Sequence, residues 1–402
     1  MWSKALDHFL TGLVQQGRLD VTYPDGTAKA YQGAAPGPQV AVALHDASLP
    51  RRIMLSPEMA IGEGYMDGQL TIHGDDLEGF LRLAIGNMAA SSAPIAHRPL
   101  KVMRYLSRRL QQLNPAGRSR QNVAHHYDLS GKLYDLFLDA DRQYSCAYFP
   151  HDDMTLDDAQ EAKKAHIARK LLLEPGMRVL DIGCGWGGMG LTLARDFGAE
   201  VLGVTLSTEQ HKIANERAKA EGLAGRARFE LTDYRDLDGQ FDRIVSVGMF
   251  EHVGTPQYRT YFSKIDDLLT PEGVALVHTI GRAKPPGVTS PWIQKYIFPG
   301  GYVPSMSEMT AAIERSGLIT TDLEVWRLHY AETLRHWYDR FMERLDAARK
   351  LYDDRFCRMW RFYLKASELT FRLDRQVVFQ VQLARRQEAV PLTRDYLYRG
   401  NS

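Results

Sequence analysis

The sequence predicts an α/β protein whose larger part is a parallel sheet with helices on both faces, preceded by a small mixed α+β domain. Three observations predict it. From about Ser119 onward, short apolar strand-like runs alternate with helical ones; one such strand runs directly into a glycine-rich turn; and the first 115 residues lack that alternation. With 402 residues, 44% hydrophobic and 25% charged, the chain has material for one large domain or two smaller ones and is not a disordered protein. The division expected is residues 1–115 and 116–402.

In the N-terminal part, Leu19-Asp-Val-Thr-Tyr23, the turn Pro24-Asp25-Gly26 and the returning Thr27 to Tyr31 predict a hairpin, with a further strand at Val40 to Leu44. Helices follow. Ser56-Pro57-Glu58 has the order of an N-cap and a first-turn proline, and Asp75-Asp76-Leu77 opens an apolar-periodic run to Ile85. Met103, Leu106, Leu110 and Leu113 then recur at helical spacing, with Lys101, Arg104 and Arg108 opposite them, until Asn114-Pro-Ala-Gly117 ends the pattern.

The second part reads as strands at Arg178 to Asp181, Glu200 to Thr205, Arg228 to Leu231, Asp242 to Val247 and Gly273 to His278. Helices at Thr208 to Glu221 and Gln257 to Leu269 are long enough for crossovers between parallel strands. Ligands in such sheets bind at the carboxyl ends of the strands. Ala331 to Leu351 and Asp353 to Leu373 are aromatic-rich helical stretches, and Gln376 to Gln382 alternates as a strand that could close the sheet antiparallel.

Lys+Arg (50) and Asp+Glu (49) nearly cancel, which argues against a surface built wholly for nucleic acid. The cancellation is uneven. Seven Lys/Arg and no Asp or Glu lie between Arg98 and Arg120, so this segment carries +7 and the rest of the chain +1 − 7 = −6. Cys146, Cys184 and Cys357 form neither a disulfide framework nor a paired zinc motif, which suits a reducing compartment. No stretch approaches the ~20 apolar residues of a spanning helix, and Met1 to Leu10 has no secretory core, so any membrane contact is expected from the cytoplasmic surface.

Val179-Leu-Asp-Ile182 runs into Gly183-Cys-Gly185-Trp-Gly187-Gly188 and a helix from about Met189. Glycines let the backbone turn sharply and approach a ligand, and the helix start offers free N–H groups. NAD enzymes, flavoproteins, methyltransferases and plain tight turns share such a loop. Two neighbours narrow the choice. Asp181 would repel a pyrophosphate but suits a ligand bearing an ammonium and a sulfonium. The next strand ends at Thr205-Leu-Ser207, without the acidic residue that a NAD site places on the ribose. S-adenosylmethionine fits better than a nicotinamide.

Val179 to Gly188, Gly203-Val-Thr-Leu-Ser207, Met249-Phe-Glu-His-Val253, Leu276-Val-His-Thr-Ile280 and Gln143-Tyr-Ser-Cys-Ala-Tyr148 together resemble the cyclopropane-fatty-acyl-phospholipid synthase family, which includes mycolic acid cyclopropane synthases and lipid C-methyltransferases. The resemblance covers about Asn122 to Arg385. It implies a class I methyltransferase fold, Rossmann-like with a seven-stranded, mainly parallel sheet. It implies that S-adenosylmethionine is held by Tyr144, Ser145, Asp181, Gly183, Cys184, Gly185, Trp186, Gly187, Thr205, Leu206, Gln210, Asp233, Tyr234, Arg235 and Gly248. It further implies a bound bicarbonate base, held by Cys146, Glu251, His278, the backbone of Ile280, and Tyr330. Without the family, Glu251 and His278 would be ordinary core polar groups.

The implied reaction is methylene transfer to the cis double bond of unsaturated phospholipid acyl chains, through a carbocation. An alkene has no proton to remove beforehand, so nucleophile activation has no purpose here. The protein must instead align the alkene, stabilise the cation and supply a base. Tyr144, Tyr148, Phe149, Phe250 and Tyr330 are candidates to face the cation. Many relatives carry a cysteine in a late helix where this chain has Ser367, which counts against a covalent role there. The alternative on the same fold is a C-methyltransferase giving methyl-branched or methylene chains. A methyltransferase of a soluble molecule or nucleic acid, and a non-enzymatic membrane-binding protein, fit less well. No nucleic acid and no metal are expected; a homodimer, peripheral on the inner face of the membrane, is.

Overall fold

The structure is a computed structural model that describes residues 1–90 and 131–398. The basic segment Arg98 to Arg120, its helical pattern and the boundary expected at residue 115 lie outside the described residues. The first elements are α1 (Trp2–Leu13), β1 (Gln16–Thr22), β2 (Ala28–Gln32), β3 (Ala35–Leu44), α2 (Leu49–Leu55), α3 (Pro57–Met66), β4 (Leu70–Ile72) and α4 (Leu77–Ala90). Then come α5 (Gly131–Tyr134), α6 (Leu156–Lys170), β5 (Arg178–Ile182), α7 (Gly188–Asp196), β6 (Glu200–Thr205), α8 (Thr208–Ala220), β7 (Ala227–Leu231), β8 (Phe241–Val247), α9 (Tyr258–Leu268) and β9 (Leu269–Arg282). The chain ends with α10 (Pro291–Tyr296), α11 (Met306–Ile313), β10 (Ile319–Trp326), α12 (His329–Glu343), α13 (Leu345–Leu351), α14 (Asp354–Leu373) and β11 (Gln376–Ala384).

These elements form two compact units that do not follow chain order. The described part of the first comprises residues 1–90, 288–298 and 334–375; that of the second, 131–287, 299–333 and 376–398.

The first unit has a four-stranded sheet in the order β2-β1-β3-β4, parallel only between β1 and β3. The hairpin expected at Leu19 to Tyr31 is there, with the Tyr23 amide donating to Thr27 and the Gly26 amide to Tyr23. The late helix α14 joins this unit through Phe362, which packs on Tyr65 and Trp292, and through a row of cations at helical spacing. Arg355 pairs with Asp67 at 2.6 Å, Arg358 donates to the Met66 carbonyl at 2.7 Å, Arg361 pairs with Asp75 at 2.6 Å, and Lys365 with Glu78 at 3.2 Å. Spacings of three and four put all of them on one face. Trp292 of α10 is 2% exposed and donates its indole N–H to the Met66 sulfur at 3.2 Å.

The second unit is a seven-stranded sheet in the order β10-β11-β9-β8-β5-β6-β7, parallel from β9 to β7, with β11 antiparallel to both of its neighbours. Its strands bury both faces. Ile167, Leu171, Leu193, Val201 and Phe229 pack on one side, and Ile244, Tyr261, Phe262, Ile265 and Phe379 on the other. The chain winds outward from β5 to β6 and β7, then returns to place β8 on the other side of β5. That reversal is where a doubly wound sheet leaves a crevice at its strand ends. The antiparallel closing strand expected at Gln376 to Gln382 is β11; the edge strand β10 beyond it is not among the strands expected from sequence.

Candidate cofactor cavity and its catalytic neighbours

A cavity opens at the strand ends where β5, β6 and β8 meet the glycine loop. Where β5 ends, the amides of Gly183 and Cys184 both donate to the Val204 carbonyl on β6, at 2.9 and 3.0 Å. Gly183 has φ +79°, and a Cβ there would meet the Met249 side chain at 2.8 Å, so conformation and space both require glycine. At Gly188, the first residue of α7, a Cβ would overlap the side chains of Gln143 and Asp141. The strap of residues 139–146 therefore lies directly on the helix start.

Asp181, 2% exposed, has its Oδ2 buried with no hydrogen-bond partner, and burial pushes its carboxyl up to about 7. An orphaned acceptor beside a cavity fits a cationic ligand, which would satisfy it and draw its pKa back down. At the end of β6, the Thr205 hydroxyl donates to Gln210 Oε1 at 2.9 Å, and Ser207 caps α8 by accepting the Gln210 amide at 3.3 Å. After β7, Asp233 accepts both the amide and the guanidinium of Arg235, and Tyr234 meets Tyr261 edge-on at 5.6 Å. Gly248, after β8, donates its amide to the His278 carbonyl at 2.9 Å.

Tyr144, Ser145, Asp181, Gly183, Cys184, Gly185, Trp186, Thr205, Leu206, Gln210, Asp233, Tyr234, Arg235 and Gly248 all line the cavity. Gly187 does not; with φ +85° it is the N-cap of α7. Among the remaining lining residues, Met249, His252, Val253, Gln257 and Pro299 are not among the cofactor residues expected from sequence.

Cys146, Glu251, His278, Ile280 and Tyr330 lie outside that lining; Cys146 and Glu251 directly follow and precede the lining residues Ser145 and His252, and the His278 carbonyl accepts the amide of lining Gly248. Glu251 Oε1 accepts the Ile280 amide at 2.6 Å, while its Oε2 is buried with no partner and burial pushes the carboxyl up to about 7. His278 lies two residues before Ile280 on β9, hence on the same strand face. Its Nδ1 is 3.0 Å from Nε2 of Gln380, its register partner on β11. With the amide donating, Nδ1 accepts and the ring proton sits on Nε2. Burial holds His278 well below its ordinary value, so the ring is neutral. The Cys146 thiol faces its neighbour's carbonyl at 3.3 Å, and burial raises its pKa. Tyr330 stands in the first turn of α12; one turn on, Thr333 Oγ1 accepts the Ala147 amide at 3.0 Å and ties that helix to the strap.

Of the other aromatic candidates, Tyr148 packs on both His166 and Trp326, with centroids at 4.6 and 4.8 Å, in a three-ring cluster, and Phe149 stacks on His329. Phe250 is fully buried against Tyr258, Tyr261 and Phe262, which makes it a core residue. Ser367 lies on α14, in the first unit.

Sequence reasoning missed the polar residues that hold the strap. Gln160, Lys163 and Lys164 of α6 are at most 1% exposed. Gln160 Nε2 donates to the carbonyls of Gln143 and Ser145 at 3.2 and 3.0 Å, and Lys164 pairs with Asp141 at 2.6 Å. Their spacing makes a polar stripe, but such a stripe reads as a solvated helix face.

The sheet order, the glycine turn at its reversal and the cavity above it define a class I methyltransferase, and solved structures similar to this chain agree. The crystal structure of mycolic acid cyclopropane synthase CmaA1 complexed with SAH and CTAB matches 68% of this chain and 99% of that one, with a TM-score of 0.63 at 34% identity. Residues 115–381 match the mycolic acid cyclopropane synthetase family, and residues 5–92 a domain of unknown function, DUF7884. The chain is 41% identical over 335 residues to cyclopropane-fatty-acyl-phospholipid synthase of Escherichia coli (strain K12), covering 83% of this chain and 85% of that protein. It is 36% identical over 386 residues to a probable fatty acid methyltransferase of Pseudomonas putida, covering 90% and 93%. The chain belongs to the mycolic acid cyclopropane synthetase family.

Proposed function

We propose that this enzyme transfers a methylene group from S-adenosylmethionine to the cis double bond of unsaturated phospholipid acyl chains. The observation that carries the reading is the buried Glu251 carboxyl, fixed by the Ile280 amide and left with one open oxygen, beside a cavity whose orphaned Asp181 fits a cationic cofactor. S-adenosylmethionine, when bound, supplies an electrophilic methyl group. Tyr144, Ser145, the loop from Asp181 to Gly188, Thr205, Gln210 and the Asp233 turn would hold it.

The residues around Glu251 also fit a small oxyanion that carries a hydroxyl, because Glu251 Oε2 is an acceptor in need of a donor and neutral His278 offers an Nε2–H. Bicarbonate is that ion in our reading, and it supplies a base that can take up a proton when the ring closes. Glu251, with a carboxyl near neutrality, exchanges a proton more readily than an ordinary carboxylate would. Because Ile280 already donates to Glu251, an ion that takes this amide shares it. Cys146 and Tyr330 complete the set, and Tyr144, which lines the cavity, is the aromatic that would stabilise positive charge on the acyl chain. We further place the enzyme, as a homodimer, on the inner face of the membrane. The +7 charge between Arg98 and Arg120 supports the membrane surface, and the homodimer rests on the family resemblance alone; no helix among the described residues is long and apolar enough to cross a bilayer.

Mass spectrometry of lipids from cells expressing the protein tests the reading. A gain of CH2 as a saturated ring is expected, and Glu251→Gln lowers its formation at least about 100-fold. A methyl-branched or methylene chain would favour the second reading, which the name of the Pseudomonas putida relative supports. Unchanged lipids, or full activity in the variant, would overturn the assignment.

A further inference from the structure

Lys163 is fully buried, and its ammonium donates to two neutral acceptors on the strap, Gln143 Oε1 at 2.6 Å and Ser145 Oγ at 2.8 Å. Among the described residues no carboxylate lies within ion-pair distance of it. Burial pulls it down only to about 8, so it keeps its proton at neutral pH. The charges of Asp139 and Asp141 favour its protonated form, yet a cation held so deep without a direct ion pair is costly and calls for a reason. Its position supplies one. Gln143 and Ser145 flank Tyr144, all three line the cofactor cavity, and Lys163 grips the strap on both sides of Tyr144 from beneath. Ser145 Oγ accepts from Lys163, an ammonium that has no lone pair to accept anything in return. The serine hydrogen is thereby turned away from Lys163 and is free to donate into the cavity, and the adjacent charge strengthens that donor.

We infer that Lys163 is a positioning residue that fixes Ser145 as a hydrogen-bond donor toward the carboxylate of the cofactor's amino-acid moiety. This rests on the assignment of the cavity to S-adenosylmethionine. The chemistry it selects for is an anionic acceptor at the strap and a cationic group at Asp181, across the same cavity.

Calorimetric binding of S-adenosylmethionine and of decarboxylated S-adenosylmethionine, which lacks only the carboxylate, tests it. Lys163→Met weakens binding of the first by about tenfold or more and leaves the second within about twofold, since a hydrogen bond to a charged group is lost. Ser145→Ala does the same, and the double variant is no weaker than the weaker single one. Equal loss of both ligands in Lys163→Met would mean that the strap has merely loosened, and would overturn the inference; so would unchanged affinity for both. Should Lys163→Met fail to fold, Ser145→Ala carries the test alone, with discrimination between the two ligands as the outcome that decides. A wild-type protein that binds neither ligand would overturn the cavity assignment itself, and the inference with it.

Discussion

A carboxyl group buried with one oxygen unpaired resists ionisation, and Glu251 is held near 7 for that reason. The displacement has a consequence for stability as well as for chemistry. Below the ordinary value of 4.5 the group is protonated in folded and unfolded chains alike. Between 4.5 and about 7 the folded chain keeps a proton that the unfolded chain has lost, so stability falls as pH rises through this window. The whole effect is about 3 kcal/mol. Glu251→Gln has nothing to ionise, so it should gain stability relative to wild type by an amount approaching that figure between pH 5 and pH 8, even as it loses activity. Urea unfolding at the two pH values measures the change, and a constant difference would refute the burial argument. Histidines titrating oppositely in the same range, such as His252 with a value lowered to about 4, cancel in this comparison because both proteins contain them.

Single elements show where packing has no slack. In α3, a Cβ on Gly62 would overlap the indole of Trp292, whereas Gly12 in α1 has nothing within 4 Å. Gly62→Ala should therefore cost about 1–3 kcal/mol through overpacking. Gly12→Ala should be neutral or stabilising by up to about 1 kcal/mol, because alanine is the better helix former. Chemical unfolding followed by tryptophan fluorescence separates them, and equal effects would show that Trp292 moves aside freely. The same docking explains what could be read from the sequence and what could not. Strands with period-two or continuous apolar patterns, such as β6 and β8, were legible, as were the cofactor loop and the antiparallel β11, because each is encoded within a few neighbouring residues. That α14 and the segment around Trp292 pack with the N-terminal helices α3 and α4 was not legible, because long-range ion pairs such as Arg361 with Asp75 leave no local pattern. The buried polar face of α6 was hidden for another reason. Gln160, Lys163 and Lys164 look solvated until the strap that covers them is in place.

At the scale of the whole molecule, the charge is divided between a +7 segment and a remainder of −6, and a bilayer substrate gives that division a use. Each Lys or Arg near an anionic surface contributes about 1 kcal/mol, an attraction that salt screens within a Debye length. On the proposed reading, seven such residues would allow landing at moderate ionic strength, while the acidic remainder would oppose permanent adsorption and let the enzyme leave one lipid for the next. Replacing Arg104, Arg108 and Arg109 with Gln should then lower affinity for vesicles containing anionic phospholipid by about 100-fold, three charges at about 1 kcal/mol each. Binding of S-adenosylmethionine should stay unchanged, because none of the three is among the residues assigned to the cofactor. Vesicle co-sedimentation at low and high salt reads the first effect and calorimetry the second. If the variant bound vesicles as tightly as wild type, or if wild-type binding ignored both salt and lipid charge, the basic segment would be a solvated helix face with no part in reaching the substrate, and the acyl chain would have to be captured by an apolar surface instead.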